Sequence, residues 1–172
     1  MERTTQRAYI RWIPTILMMA IIFAFSHAPA NVSSETSMAL TTTLQLYAQE
    51  LWGGESVTSA ALETMEWVVR KLAHVTEYAL LSITICYAYG GMRKAASVGM
   101  LQVVGVAILL SGLYAVTDEV HQLFIDGRSG QVRDVVIDTV GATLGGIFYF
   151  IVVKLHTIIA KLPTIIGNRR SV

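Results

Sequence analysis

The chain has 172 residues, 53% hydrophobic and only 15% charged, with a formal net charge of +1. A soluble domain is about 25% charged, so the apolar excess excludes an ordinary water-soluble fold, and no nucleic-acid partner is expected. The single cysteine, Cys86, excludes an internal disulfide framework and a multi-cysteine metal site.

The first apolar run covers about residues 9–26. Tyr9 and Trp12 stand where interfacial aromatic anchors belong, and Arg3, Arg7 and Arg11 flank the run. A basic start before an apolar stretch also describes a signal peptide, but no small-x-small cleavage pattern follows, so the run reads as a retained span. Pro14 falls in its first turn, where a missing N–H costs nothing.

Residues 27–70 differ in character. No Lys or Arg occurs between Trp12 and Val69, whereas Glu35, Glu50, Glu55, Glu63 and Glu66 do. Leu40, Leu44, Tyr47 and Leu51 recur at helical spacing, with Ser33 or Ser34 as a cap and Gly53-Gly54 as a stop. Leu62, Met65, Val69 and Leu72 form a second stripe. The segment at about 33–70 therefore reads as an amphipathic helical insertion lying on the membrane or over the mouth of a bundle.

Three further spans follow at about residues 72–90, 95–117 and 134–153, separated by a turn at Gly90–Lys94 and a polar loop at 118–133. Lys154, Lys161, Arg169 and Arg170 mark the tail, whose apolar stretch is expected along the membrane surface. The expected fold is all-α: a single-domain four-transmembrane-helix bundle, with the insertion between helices 1 and 2 on the outer face. Cytoplasmic placement of both ends puts Arg3, Arg7, Arg11, Arg93, Lys94 and the tail cations inside, leaving only Arg70, Lys71, Arg128 and Arg133 outside.

That topology gathers polar residues at one membrane face. Lys71, His74 and Tyr78 share a helical face at the outer start of span two, with Arg70 and Glu77 beside them. Asp118, His121 and Gln122 share a face at the outer end of span three, next to Glu119. Arg128 lies in the following loop, and span four opens with Asp134 and Asp138 one turn apart. A charge at a helix centre in a membrane costs at least about 2.5–3.5 kcal/mol, and buried ion pairs only roughly break even. A cluster of this size therefore reads as a binding or functional site more readily than as a stabilising network. Glu77 and Asp138 are expected to face each other across the bundle, with Lys71 or an arginine between them. Gly141 and Gly145, four apart, read as a close helix-packing contact.

Several motifs resemble the VanZ-like family: Phe23-Ala24-Phe25-Ser26, Arg70-Lys71-x-x-His74-x-x-Glu77-Tyr78, and Tyr114-Ala115-x-x-Asp118-Glu119-x-His121-Gln122-x-Phe124. Gly127-Arg128-Ser129-Gly130 and Asp134-Val135-x-x-Asp138-Thr139-x-Gly141-x-x-x-Gly145 continue the likeness, which spans about residues 12–150. The resemblance implies a bacterial cytoplasmic-membrane protein of the kind linked to teicoplanin (glycopeptide) resistance, without implying a mechanism. The segment between spans one and two is longer here than the family's usual connection.

Three functions of different classes fit these residues. The first is binding or handling of an anionic envelope lipid or related amphiphile, with Arg70, Lys71, Arg128 and Arg133 meeting a phosphate. The second is acid/base or metal-assisted hydrolysis or transfer on a lipid-linked substrate, drawing on His74, Glu77, Asp118, Glu119, His121, Asp134 and Asp138. No individual catalytic residue is assigned, and no cofactor is implied beyond the divalent cation of this second reading. The third is an accessory subunit that docks through the insertion. Oligomeric state is not legible.

The topology has a direct check. In a Cys86-free background, a cysteine at Ser129 reacts with a membrane-impermeant reagent on intact cells, and a cysteine at Ser97 does not. The opposite labelling pattern would invert the orientation.

Overall fold

The computed structural model describes residues 8–53, 58–96 and 98–168. These form five helices: α1 (Ile13–Ser26), α2 (Ala30–Trp52), α3 (Ser59–Ala96), α4 (Met100–Gln122) and α5 (Val132–Asn168). Among the described residues there is no strand.

Pro14 stands in the opening turn of α1, as its missing donor allows. α2 begins earlier than the serine caps suggest, directly after Pro29. The fixed φ of that proline suits a helix boundary, which leaves Ser33 and Ser34 inside the helix with hydroxyls free for other partners. Gly53, at φ 67°, closes α2; Gly54 lies outside the described residues. The turn read at Gly90–Lys94 is instead continuous helix to Ala96. Its glycines answer to space rather than to a turn. A Cβ on Gly90 would lie 3.1 Å from the Tyr149 hydroxyl, and one on Gly91 would collide with the Arg11 side chain. α4 runs on through Gln122, where a loop was read from residue 118, because Asp118, Glu119 and Gln122 are buried and bonded within the bundle. The tail read as a separate surface stretch is the continuation of α5.

Among the described residues, three helices are long and apolar enough to cross a membrane: Ala8–Ser26, Met100–Gln122 and Val132–Lys161. α3 is not among them by composition, since its apolar part also carries His74, Glu77 and Tyr78, Tyr87 and Tyr89. The distribution of polarity is inverted relative to a water-soluble bundle. Ile16, Leu17, Leu109, Leu113, Leu144, Phe148 and Ile151 face outward, while Ser82, Ser111, Tyr78 and Asp138 are fully buried. Such a surface suits hydrocarbon, and each helix satisfies its own backbone.

α3 and α5 make the most extensive helix contact. A Cβ added to Gly141 would sit 2.5 Å from the Val75 carbonyl oxygen, and one on Gly145 would overlap the backbone of Ala79. Each step of four on α5 matches a step of four on α3, so the two helices run parallel and in register. α4 packs against both α3 and α5, antiparallel to α5, with Gly112 against Thr139 and Gly146 against Val104. α1 joins α4 through the Tyr114 hydroxyl, which donates to the Met19 carbonyl at 2.8 Å.

These approaches leave no room for a methyl group. Gly141→Ala and Gly145→Ala are each expected to destabilise the bundle by about 1–3 kcal/mol, as overpacking does. Gly105→Ala, with nothing within 4 Å of the added atom, is expected to be neutral or mildly stabilising. Melting curves in detergent measure all three; equal effects at 105 and 145 would show that the glycine contact does not hold the pair together.

Candidate functional site

The α3–α5 register sets the first group of polar contacts. Lys71 Nζ lies 2.7 Å from Asp134 Oδ1, and one turn deeper His74 Nδ1 lies 3.6 Å from Asp138 Oδ1. Tyr78, another turn on, is completely buried, and its hydroxyl has no hydrogen-bond partner among the described residues. Asp138 is likewise fully buried, and neither of its oxygens accepts a hydrogen bond. Asp138 therefore has His74 as its nearest ionisable partner. The lysine expected between Glu77 and Asp138 is engaged one turn earlier, at Asp134. Arg133 stays at the surface, 3.9 Å from Asp134 and stacked 5.7 Å from the Trp67 ring.

The last turn of α4 supplies a second group. Gln122 is buried and its Nε2 donates to Ser26 Oγ at 2.9 Å, with Asp118 Oδ2 at 3.2 Å and Glu119 Oε1 at 3.4 Å. Glu119 Oε2 accepts the backbone N–H of Gln131 at 2.7 Å, fixing the start of the α5 approach. Ser26 and Gln131 were not among the residues singled out from sequence. Ser26 carried a signal, as the polar end of the Phe23–Ser26 motif; Gln131 acts through its backbone, which sequence does not mark.

The connection between α4 and α5 closes over the C-terminal end of α1. Gly127 turns with φ 71°, its Cα side packed near Ala30. Arg128 Nε donates to the Ala28 carbonyl at 2.8 Å and its Nη2 to the Phe25 carbonyl at 3.0 Å. The guanidinium thus caps the C-terminal carbonyls of α1, where the helix dipole favours a cation. Burial pulls its pKa down from the ordinary value, opposed by the charges of Asp118, Glu119 and Glu77.

Between α1, α2 and α3 these elements enclose a cavity of about 490 Å³. Ile22, Phe25, Val32, Leu40 and Val69 give it apolar walls, and Arg70, His74, Glu77, Asp118 and Arg128 give it a polar end. The expected single cluster therefore divides. Arg70, His74, Glu77, Asp118 and Arg128 meet at the cavity. Lys71, Tyr78, Glu119, Asp134 and Asp138 sit in the helix interior, with Gln122 linking the two through Asp118 and Glu119. His121 belongs to neither. Its ring stacks with Phe23 and His27, and its Nε2 lies 3.3 Å from His27 Nδ1 at the exposed rim. Among the described residues, no three His, Cys, Asp or Glu side chains converge as metal ligands.

One carboxylate links α2 to α3 beside the cavity, while the Ala30 N–H donates to the Asp126 carbonyl at the start of α2. Glu66 Oε1 accepts the hydroxyls of Ser37 at 2.6 Å and Ser34 at 3.2 Å, and pairs with Arg70. Burial raises the Glu66 pKa, but the two hydroxyls and the Arg70 charge outweigh it, so the net shift is downward. A carboxyl with a depressed folded pKa stabilises the structure above its unfolded pKa and loses that stabilisation as pH falls through the folded value. Protease cleavage within α2 is accordingly expected to accelerate below the ordinary carboxylate range, and Glu66→Gln should cleave fast and independently of pH. A pH-independent rate in the parent chain would remove Glu66 as the tether.

A family model described as VanZ/LLP1 matches residues 11–153. No curated protein and no solved structure matches the chain. The match runs from the start of α1 to residue 153 within α5 and therefore covers every residue of the cavity and of the buried polar interior. Together with its apolar outward-facing helices, this places the chain, a multi-pass helical membrane protein, in the VanZ/LLP1 family.

Proposed function

We propose that the chain crosses the bacterial cytoplasmic membrane four times, with both ends in the cytoplasm, and binds an anionic envelope lipid or related amphiphile in the cavity beneath α2. The fourth crossing is α3. It runs parallel to α5 and in register with it, as two helices entering from the same face would, and its Lys71 and His74 face Asp134 and Asp138 of α5 instead of lipid. The cation distribution along the sequence supports the orientation.

The cavity carries the functional reading. Its volume falls in the range of small-molecule sites, its walls are apolar, and Arg70 and Arg128 line one end. An acyl or isoprenoid segment buried there contributes roughly 0.8 kcal/mol per methylene. Arginine matches phosphate or carboxylate oxygens with a planar fork. Arg128 commits Nε and Nη2 to backbone carbonyls, which orients the guanidinium before a ligand arrives and lowers the ordering cost of binding. On this reading, a contribution to glycopeptide (teicoplanin) resistance would run through the amphiphile that the cavity holds.

Native mass spectrometry with added phosphatidic acid tests the proposal. The parent protein is expected to retain the lipid. Ala73→Phe fills the cavity from α3 without touching a charge and should abolish retention. Arg128→Lys keeps the charge but loses the fork and should weaken retention about tenfold, the equivalent of about 1.4 kcal/mol. Unchanged retention in both variants, with unchanged melting temperatures, would place any lipid contact elsewhere.

A further inference from the structure

We infer that the amphiphile taken by this cavity carries a primary ammonium beside its anionic group, and that Glu77 and Asp118 hold that ammonium. The inference rests on the lipid-binding reading and narrows the ligand to a zwitterionic head on an apolar chain.

The charges around the cavity do not balance for a simple anion. Four formally charged side chains line it: Arg70, Arg128, Glu77 and Asp118. The Arg70 charge is taken by Glu66, with which it forms an ion pair one helical turn away. Arg128 makes its hydrogen bonds to the neutral carbonyls of Ala28 and Phe25. One cation therefore stands against two carboxylates. His74 adds no settled charge, since it faces Asp138 at 3.6 Å and Lys71 is its neighbour on the same face.

The carboxylates are also short of donors. Glu77 makes no hydrogen bond or ion pair with any described residue. Asp118 is 3% exposed, and only its Oδ2 is bonded, to Gln122; its Oδ1 has no partner. A carboxylate oxygen withdrawn from water without a donor is destabilised. A bare phosphate can meet Arg128 but leaves these carboxylate oxygens without a donor. An ammonium brings three N–H donors and the missing positive charge, while the adjacent anionic group meets Arg128. The polar end of the cavity thus suits a paired head: anion toward the α1–loop side, ammonium toward α3 and α4. A quaternary ammonium has the charge but no N–H, so it leaves Glu77 and the Asp118 oxygen unbonded.

Three phospholipids with identical chains separate these cases: phosphatidylethanolamine, phosphatidylcholine and phosphatidylglycerol, each added to the detergent-purified full chain and read by native mass spectrometry. Retention of phosphatidylethanolamine is expected to exceed that of the other two by at least about tenfold. Glu77→Gln and Asp118→Asn should each erase that preference by lowering phosphatidylethanolamine retention to the level of phosphatidylglycerol, at an unchanged melting temperature. Phosphoethanolamine, the head without chains, should not displace bound phosphatidylethanolamine, which ties recognition to the apolar walls. Equal or stronger retention of phosphatidylglycerol by the parent protein would overturn the inference while leaving the anionic-amphiphile proposal standing. Equal retention of phosphatidylcholine would overturn the hydrogen-bonded ammonium, and displacement by phosphoethanolamine would overturn the amphiphile. Failure to retain any lipid would end both proposals.

Discussion

The backbone-to-backbone approach of α3 and α5 at Gly141 and Gly145 sets the geometry on which the polar residues depend. With no side chain between them, Val75 and Ala79 seat directly against α5, and the parallel register follows. That register brings Lys71 to Asp134 and His74 to Asp138. A slip of one residue would rotate these side chains by about 100° around the helix axis and turn carboxylates toward hydrocarbon. The small-residue contact therefore fixes which charges meet, beyond any dispersion energy it supplies.

Around this contact the bundle keeps an interior more polar than its surface. Helices closed on their own hydrogen bonds tolerate that arrangement in lipid, where the apolar exterior costs nothing and buried hydroxyls and carboxyls need only one another. Gln122 is the main broker. From the last turn of α4 it reaches α1 through Ser26 and donates toward the two carboxyls of its own helix. Arg128 does comparable work from outside, closing the carbonyl end of α1. Two side chains thus stabilise the helix ends and also frame the cavity, so positions that line a site here are not separable from positions that hold it.

Much of this was legible in sequence because the polar residues are few and stand in long apolar runs. Lys71, His74, Glu77 and Tyr78 at helical spacing, and Asp134 and Asp138 one turn apart, had to lie inward on energetic grounds alone. Which of them pair was not legible, since pairing depends on the relative rotation of helices that Gly141 and Gly145 set in three dimensions. His121 shows the limit. Its spacing from Asp118 and Gln122 suggests a common face, yet in the fold it turns to the rim and stacks on Phe23 and His27. The helix boundaries misread at Gly90–Lys94 and at residue 118 have a common origin. Glycine and acidic residues were read as loop signals, whereas here they mark tight crossings and buried hydrogen bonds. Ser34 and Ser37 gave no sign of their role because Glu66, their partner, lies about thirty residues downstream.

α3 is one uninterrupted helix of 38 residues, which makes it about 57 Å long, nearly twice the roughly 30 Å thickness of a hydrocarbon core. It carries Glu66, which grips α2, near one end, and the residues that meet α5 further along. No break in hydrogen bonding separates the two regions, so the helix acts as a stiff beam. A displacement of α2 has two outcomes: the grip of Ser34 and Ser37 on Glu66 fails, or the beam pivots about its fulcrum at Gly141 and Gly145 and shifts His74 against Asp138. His74 lies beside the pivot, next to Val75, so a wide swing of the roof becomes a small, deep movement at the buried carboxyl.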